Sequence, residues 1–272
     1  MAHLTPQKLL GSNFSKDSFE DCKIALMAYC PPPPFLLDFA LKESKNQYFI
    51  HLSPKSVHTF SHQGIDFLSL QHVYGGPVSA STVEELAYYG IEYILAFGLA
   101  GGLGTKSLKL GDFYMIDHAI SFDGTSSHYS SDKKFSCSPI YSQLIFEHWN
   151  VGEPLSGVTA ATGDAIYRED ELYLQNALDH DCDIVNLDTS HLYAAAVNNH
   201  EGKKIHAVEC GVLSDACVDI KNWESKLEIM MFEGSEASLN PLEETGKIVK
   251  FYTEMLAPLL LEKRYETQSI FS

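Results

Sequence analysis

The chain has 272 residues, of which 45% are hydrophobic and 20% charged. That composition carries ample core for a globular fold and excludes a disordered tail, a collagen-like rod and a coiled coil. Asp and Glu number 36 against 19 Lys and Arg, a net charge of −17 that leaves no basic footprint for nucleic acid.

In chain order, residues 1–20 form a polar N-terminal arm without the apolar stretch of a signal peptide. The apolar run 24–29 reads as a buried strand. Pro31 to Pro34 then remove four backbone donors and force a strand-to-helix turn, with a helix starting in 35–41. Strands are expected at 48–52 and 66–71. Between them His58 and His62 read as two loop histidines, since no Glu accompanies them as in HExxH, and no metal site is expected. The turn Tyr74-Gly75-Gly76-Pro77 leads into a helix over 81–89. Ser79 or Ser81 is expected to cap it, with Glu84 or Glu85 completing a capping box.

A strand at 93–97 runs into a glycine loop, Phe97-Gly98-Leu99-Ala100-Gly101-Gly102-Leu103-Gly104. Its spacing fits neither GxGxxG nor the phosphate loop of nucleotide-binding proteins, because Thr105 separates Gly104 from Lys106. Further strands are expected at 113–120, 156–161, 184–187 and 205–213, and helices at 139–149, 168–179, 189–199 and 241–263. Several strands are continuous apolar runs, the mark of burial on both faces. The alternation predicts an α/β fold: one three-layer α/β/α domain over 1–272 with a mixed, largely parallel central sheet, closed by a C-terminal helix at 241–264. No apolar run reaches the length of a membrane span. Six scattered cysteines without a CxxC pair predict reduced thiols and a cytoplasmic protein.

Five stretches in order carry a family resemblance. They are Gly75-Gly76-Pro77-Val78-Ser79-Ala80-Ser81 with Glu84-Glu85-Leu86; Gly98-Leu99-Ala100-Gly101-Gly102-Leu103 with Leu110-Gly111-Asp112; Asp123-Gly124-Thr125-Ser126-Ser127-His128-Tyr129; Val185-Asn186-Leu187-Asp188-Thr189-Ser190; and Ser214-Asp215. Together they resemble the nucleoside phosphorylase-I family of purine nucleoside phosphorylases, uridine phosphorylases and methylthioadenosine nucleosidases. The resemblance implies the phosphorylase/hydrolase-like fold, cleavage of the N-glycosidic bond, a small-molecule nucleoside as partner, and assembly as a homo-oligomer, a dimer or a trimer of dimers. It implies no cofactor, with inorganic phosphate as a possible co-substrate.

By position the resemblance also implies roles. Leu187 and Asp188 stand where the family clamps ribose with Met-Glu. Asp215, after Ser214, stands where purine-cleaving members hold the base N7, so the pair favours a purine. Ile166 or Tyr167 takes the place of the base-stacking aromatic, Gly101 lies against the substrate, and His3 matches an N-terminal His that reaches a neighbouring subunit's ribose. Gly75, Gly76, Ser79, Gly98, Leu99, Ala100 and His128 surround the place of phosphate or water. The phosphate ligands themselves have changed. Ala96 and Leu99 replace the family's Arg and hydroxyl, Cys30 to Pro34 replace its G-D-P-x-R turn, and the chain has only two arginines, Arg168 and Arg264. Three readings follow: a phosphorylase giving ribose 1-phosphate, a phosphate-independent nucleosidase, and a non-catalytic nucleoside binder.

Overall fold

A computed structural model describes residues 3–43, 48–219, 222–225 and 240–270, with side chains outside 217–225 and 264–270. The side chains of Cys217 and Arg264 therefore lie outside the described set. The first half contains α1 (Pro6–Leu10), β1 (Ile24–Ala28), α2 (Pro34–Leu37), β2 (Lys42–Glu43), β3 (Val57–His62), β4 (Ile65–Leu70), α3 (Gly76–Tyr89), β5 (Tyr93–Gly102) and β6 (Phe113–Ser121). The second contains β7 (Lys134–Ser136), α4 (Pro139–His148), β8 (Leu155–Thr162), α5 (Glu171–Asp179), β9 (Ile184–Asn186), α6 (Thr189–Asn198), β10 (His206–Asp219), β11 (Asn222–Ser225), α7 (Pro241–Phe251) and α8 (Ala257–Ile270). A π-helical turn, Tyr252–Leu256, joins α7 to α8, so the expected C-terminal helix is one rod with a bulge.

The apolar runs form a parallel core, β4–β1–β5–β10. Beyond β5 the sheet closes on itself. β10 pairs antiparallel with β6, β6 and β8 pair in parallel, β8 and β9 pair in parallel, and β9 returns antiparallel to β5. Closure removes the free edges that an open sheet would expose here. It also brings the ends of β1, β5, β9 and β10 to one mouth. The fold is the expected mixed α/β sheet with helices packed on it. At the start of the π turn the Tyr252 hydroxyl donates to Ala96 O at 2.9 Å and accepts from Cys210 N at 3.1 Å, tying β5 to β10.

Several local expectations are corrected. Residues 48–52 are not a strand. Their backbone is held by α3, whose Tyr89 hydroxyl donates to Tyr48 O at 2.7 Å and whose Glu85 accepts from Ile50 N at 3.0 Å. The strand instead is β3, so His58 and His62 lie on a hairpin with β4 rather than in a loop. Its turn is Gln63-Gly64, both at positive φ, as tight hairpins require. The helix predicted over 35–41 is the single turn α2. Helix α3 begins at Gly76 with Gly75 as its N-cap at φ +83°, a conformation that favours glycine, so neither serine caps it. Ser81 donates back to Pro77 O, and Glu84 accepts from His200 N at 2.8 Å instead of closing a capping box. The glycine loop is also strand, because β5 continues through Gly102 and β10 through Asp219.

The Asp123 segment is a structural hub. Its carboxylate accepts the hydroxyls of Ser121 and Ser126 at 2.8 Å, the Ser126 N–H at 2.6 Å and the Ser190 hydroxyl, pinning the start of α6. Burial opposes the charge on Asp123, but these hydrogen bonds prevail and hold its pKa below the ordinary carboxylate value. Its contribution to stability is therefore present at neutral pH and fades as pH falls below about 4. Asp123→Asn is expected to cost about 1–3 kcal/mol in urea denaturation at pH 7. The gap to wild type should narrow towards pH 3.

Candidate active site

At the mouth of the closed sheet lies a cavity of about 340 Å³. Tyr29, Cys30 and Pro31 reach it from the end of β1, Tyr74 and Gly75 from the approach to α3, and Leu99, Ala100 and Gly101 from β5. Val185 to Asp188 enter from β9, Ser214 and Asp215 from β10, and Ile166 and Glu169 from the segment before α5. The size and the mostly apolar wall suit a small ligand oriented by a few polar groups.

Asp188 is the N-cap residue of α6, yet its side chain makes no cap hydrogen bond. It is 7% exposed, and among the described residues none donates to its carboxyl. Helix capping therefore does not account for this acid. Burial, and then the neighbouring charge of Glu209, push its pKa well above the ordinary value. Asp215 sits at a register shift in β10, opposite Gly101. The bulge turns its carboxyl to the cavity, and the Ser214 hydroxyl donates to Oδ1 at 2.7 Å. Glu169 stands on the same wall, raised to about 7 by burial and by the charge of Asp215.

Of the residues expected from sequence, Leu187, Asp188, Ser214, Asp215, Gly101, Ile166, Gly75, Leu99 and Ala100 line this cavity. The others do not. Tyr167 is 97% exposed and turned outward. His3 lies on the N-terminal arm, where its carbonyl accepts from Lys8 Nζ, and His128 is exposed at the end of a short 3-10 turn. Ser79 is buried behind the wall, bonded at 2.6 Å to the hydroxyl of the lining Tyr29. Gly76 is packed against Thr125 and His191. Gly98 lies beneath the floor: an ideal Cβ there would stand 3.1 Å from Glu209 Oε1 and 3.2 Å from Tyr29 Cβ.

The sequence reading missed Tyr29, Tyr74, Glu169, Asn186 and Glu209. A signal existed for Glu209, which is a lone acid in the apolar strand Ala207-Val208-Glu209-Cys210. Tyr74, half exposed, is an aromatic residue lining the cavity, which Tyr167 is not.

The family model of the Phosphorylase superfamily matches residues 31–241. The chain belongs to that superfamily. Within this Phosphorylase superfamily chain, the matched span carries every cavity-lining residue except Tyr29 and Cys30. An uncharacterized protein of Acanthamoeba polyphaga mimivirus is 32% identical over 195 residues, 71% of this chain and 75% of that protein. A guanosine phosphorylase of Halorubrum lacusprofundi is 26% identical over 139 residues, 50% of this chain and 57% of the relative. Among solved structures, a futalosine hydrolase mutant of Helicobacter pylori aligns with TM-score 0.64 at 15% identity, covering 84% of this chain and 97% of that one. AMP nucleosidase of Bacteroides thetaiotaomicron aligns with TM-score 0.61 at 14% identity, covering 91% and 98%. Membership places this chain among enzymes of the phosphorylase or nucleosidase type. No helix among the described residues is long and apolar enough to cross a membrane.

Proposed function

We propose that this superfamily member hydrolyses the N-glycosidic bond of a purine nucleoside, with water as the nucleophile. One observation carries the choice of water. Among the described residues the cavity wall holds three carboxylic acids, Asp188, Asp215 and Glu169, and no Lys, Arg or His. A phosphate dianion would meet like charge there, without the Arg contacts that contribute roughly 1.5–3 kcal/mol each. Water meets no such repulsion, and the oxocarbenium-like sugar of the transition state is favoured by the same acids. Phosphorolysis is the second reading, favoured by the guanosine phosphorylase relative.

In this reading Asp188 accepts the ribose hydroxyls, Tyr74 covers the base, and Asp215, having taken a proton from solvent, passes it towards N7 of the leaving purine. His3, which does not line its own chain's cavity, fits a contact to a partner copy in a homo-oligomer, and the five described cysteines, all free and buried, fit a cytoplasmic setting. The test is base release from inosine, guanosine, adenosine and uridine. The purine nucleosides are expected to be cleaved and uridine spared; cleavage of uridine alone would overturn the assignment of Asp215.

Glu169 adds a pH signature. Ionised, it accepts the N1–H of a 6-oxopurine; protonated, it donates to the bare N1 of adenine. With Glu169 raised to about 7, the kcat/KM ratio of inosine to adenosine should rise roughly tenfold or more between pH 6 and pH 8. Glu169→Gln should make that ratio independent of pH.

A further inference from the structure

Behind the cavity floor lies an acid that no substrate touches. Glu209 is fully buried in β10. Its Oε2 accepts the Thr189 hydroxyl at 2.7 Å, and its Oε1 has no hydrogen-bond partner among the described residues. Beneath the floor at this point is Gly98, where an ideal Cβ would lie 3.1 Å from Glu209 Oε1 and 3.8 Å from Asp188 Oδ2. The absent side chain leaves the two carboxyls facing one small space.

Among the described residues no cation offsets them. Tyr29 comes from β1, Tyr114 from β6, Asn186 from β9, Thr189 and Tyr193 from α6, and Cys210 follows on β10 itself. Burial raises the tyrosines and the thiol, so all stay neutral. Two uncompensated charges in one buried space are strongly disfavoured.

We propose that Asp188 and Glu209 form one acid pair carrying a single negative charge, in which Glu209 is a positioning residue that receives the proton of Asp188 when ribose hydroxyls bind. In the empty site the Thr189 hydroxyl and Asn186 favour the charge on Glu209, so Asp188 is the protonated member. Ribose hydroxyls donating to Asp188 favour its ionised form. The O–H bond of Asp188 breaks, an O–H bond forms on the vacant Glu209 Oε1, and no proton leaves for solvent. Negative charge thus appears beside the sugar only when the sugar is present, where positive charge develops during cleavage. The hand-over rests on the reading of Asp188 as the ribose clamp; the pair itself does not.

The test is carbon-13 NMR of the Asp and Glu carboxyls in the whole protein, with Asp188 assigned by its loss in Asp188→Asn. In Glu209→Gln, which keeps the acceptor for Thr189, the titration midpoint of Asp188 should fall by about one pH unit or more. Thr189→Val, which weakens the charge on Glu209, should shift it the same way. An unchanged midpoint in both variants overturns the pair, and a merely structural Glu209 would give that result. Saturating D-ribose at pH 7 should then move the Asp188 signal to its ionised position and the Glu209 signal to its protonated one. Bound ribose that moves neither overturns the hand-over. Failure of ribose and nucleosides to bind at all, with the Asp188 midpoint still shifted in Glu209→Gln, would sink the nucleoside reading and uphold the pair.

Discussion

Asp188→Asn is expected to lower kcat/KM for a purine nucleoside by ~10²–10³-fold while leaving the fold intact. Asparagine has the same shape, and Asp188 makes no capping bond whose loss would unravel α6. The substitution leaves the single charge of the buried pair on Glu209, where the empty site already holds it, so melting temperature should hold. What disappears is the negative charge beside the sugar. That charge is needed whatever the leaving group, so a ribosyl substrate with an activated aryl leaving group should be lost as well. Asp188→Glu, which restores the residue the family uses at this position, should retain more activity than Asp188→Asn. Equal activity of Asp188→Asn and wild type, measured as initial rates of base release, would remove Asp188 from the mechanism.

Asp215→Asn should cost ~10² or more in kcat, with KM little changed. Asparagine at the β10 bulge can still donate a hydrogen bond to N7 but has no proton to transfer. The defect should therefore follow the leaving group. Purine nucleosides suffer fully, whereas an activated aryl riboside needs no acid and should be cleaved near the wild-type rate. That split separates Asp215 from Asp188, and both substrates are read in the same assay. A Glu169 able to replace Asp215 would show as a small kcat effect in the single variant and a large one in the double.

Much of the fold was legible because buried strands announce themselves as apolar runs. Strands β1, β4, β6 and β8 fall within a residue or so of their expected places. The failures have physical causes. Residues 48–52 are apolar because Phe49 and Leu52 plug the core, yet α3 side chains take their backbone hydrogen bonds. Strand β3 carries His, Thr and Ser, with Val57, His58 and Phe60 buried and Thr59, Ser61 and His62 partly or fully exposed, and this polar composition reads as a loop. Glycines suggested a loop at 98–102, whereas there they admit Glu209, Tyr29 and Leu213 close to a continuous strand.

The site was legible where motifs name a residue and its place at a strand end, as for Asp188 and Asp215. It was not legible where function depends on which face a residue takes. Tyr167 and Ile166 are neighbours, but only Ile166 turns inward. Glu169 reads as a helix-surface charge until the turn before α5 folds it over the cavity. Glu209 acquires its meaning from Gly98 on the adjacent strand, more than a hundred residues away in sequence.

The central claim, hydrolysis of a purine nucleoside in an acid-walled cavity, is tested most directly by identifying the sugar product from inosine with and without phosphate. The account predicts hypoxanthine and free ribose at the same rate in both buffers. Ribose 1-phosphate formed only with phosphate, or no hypoxanthine in either buffer, would contradict it.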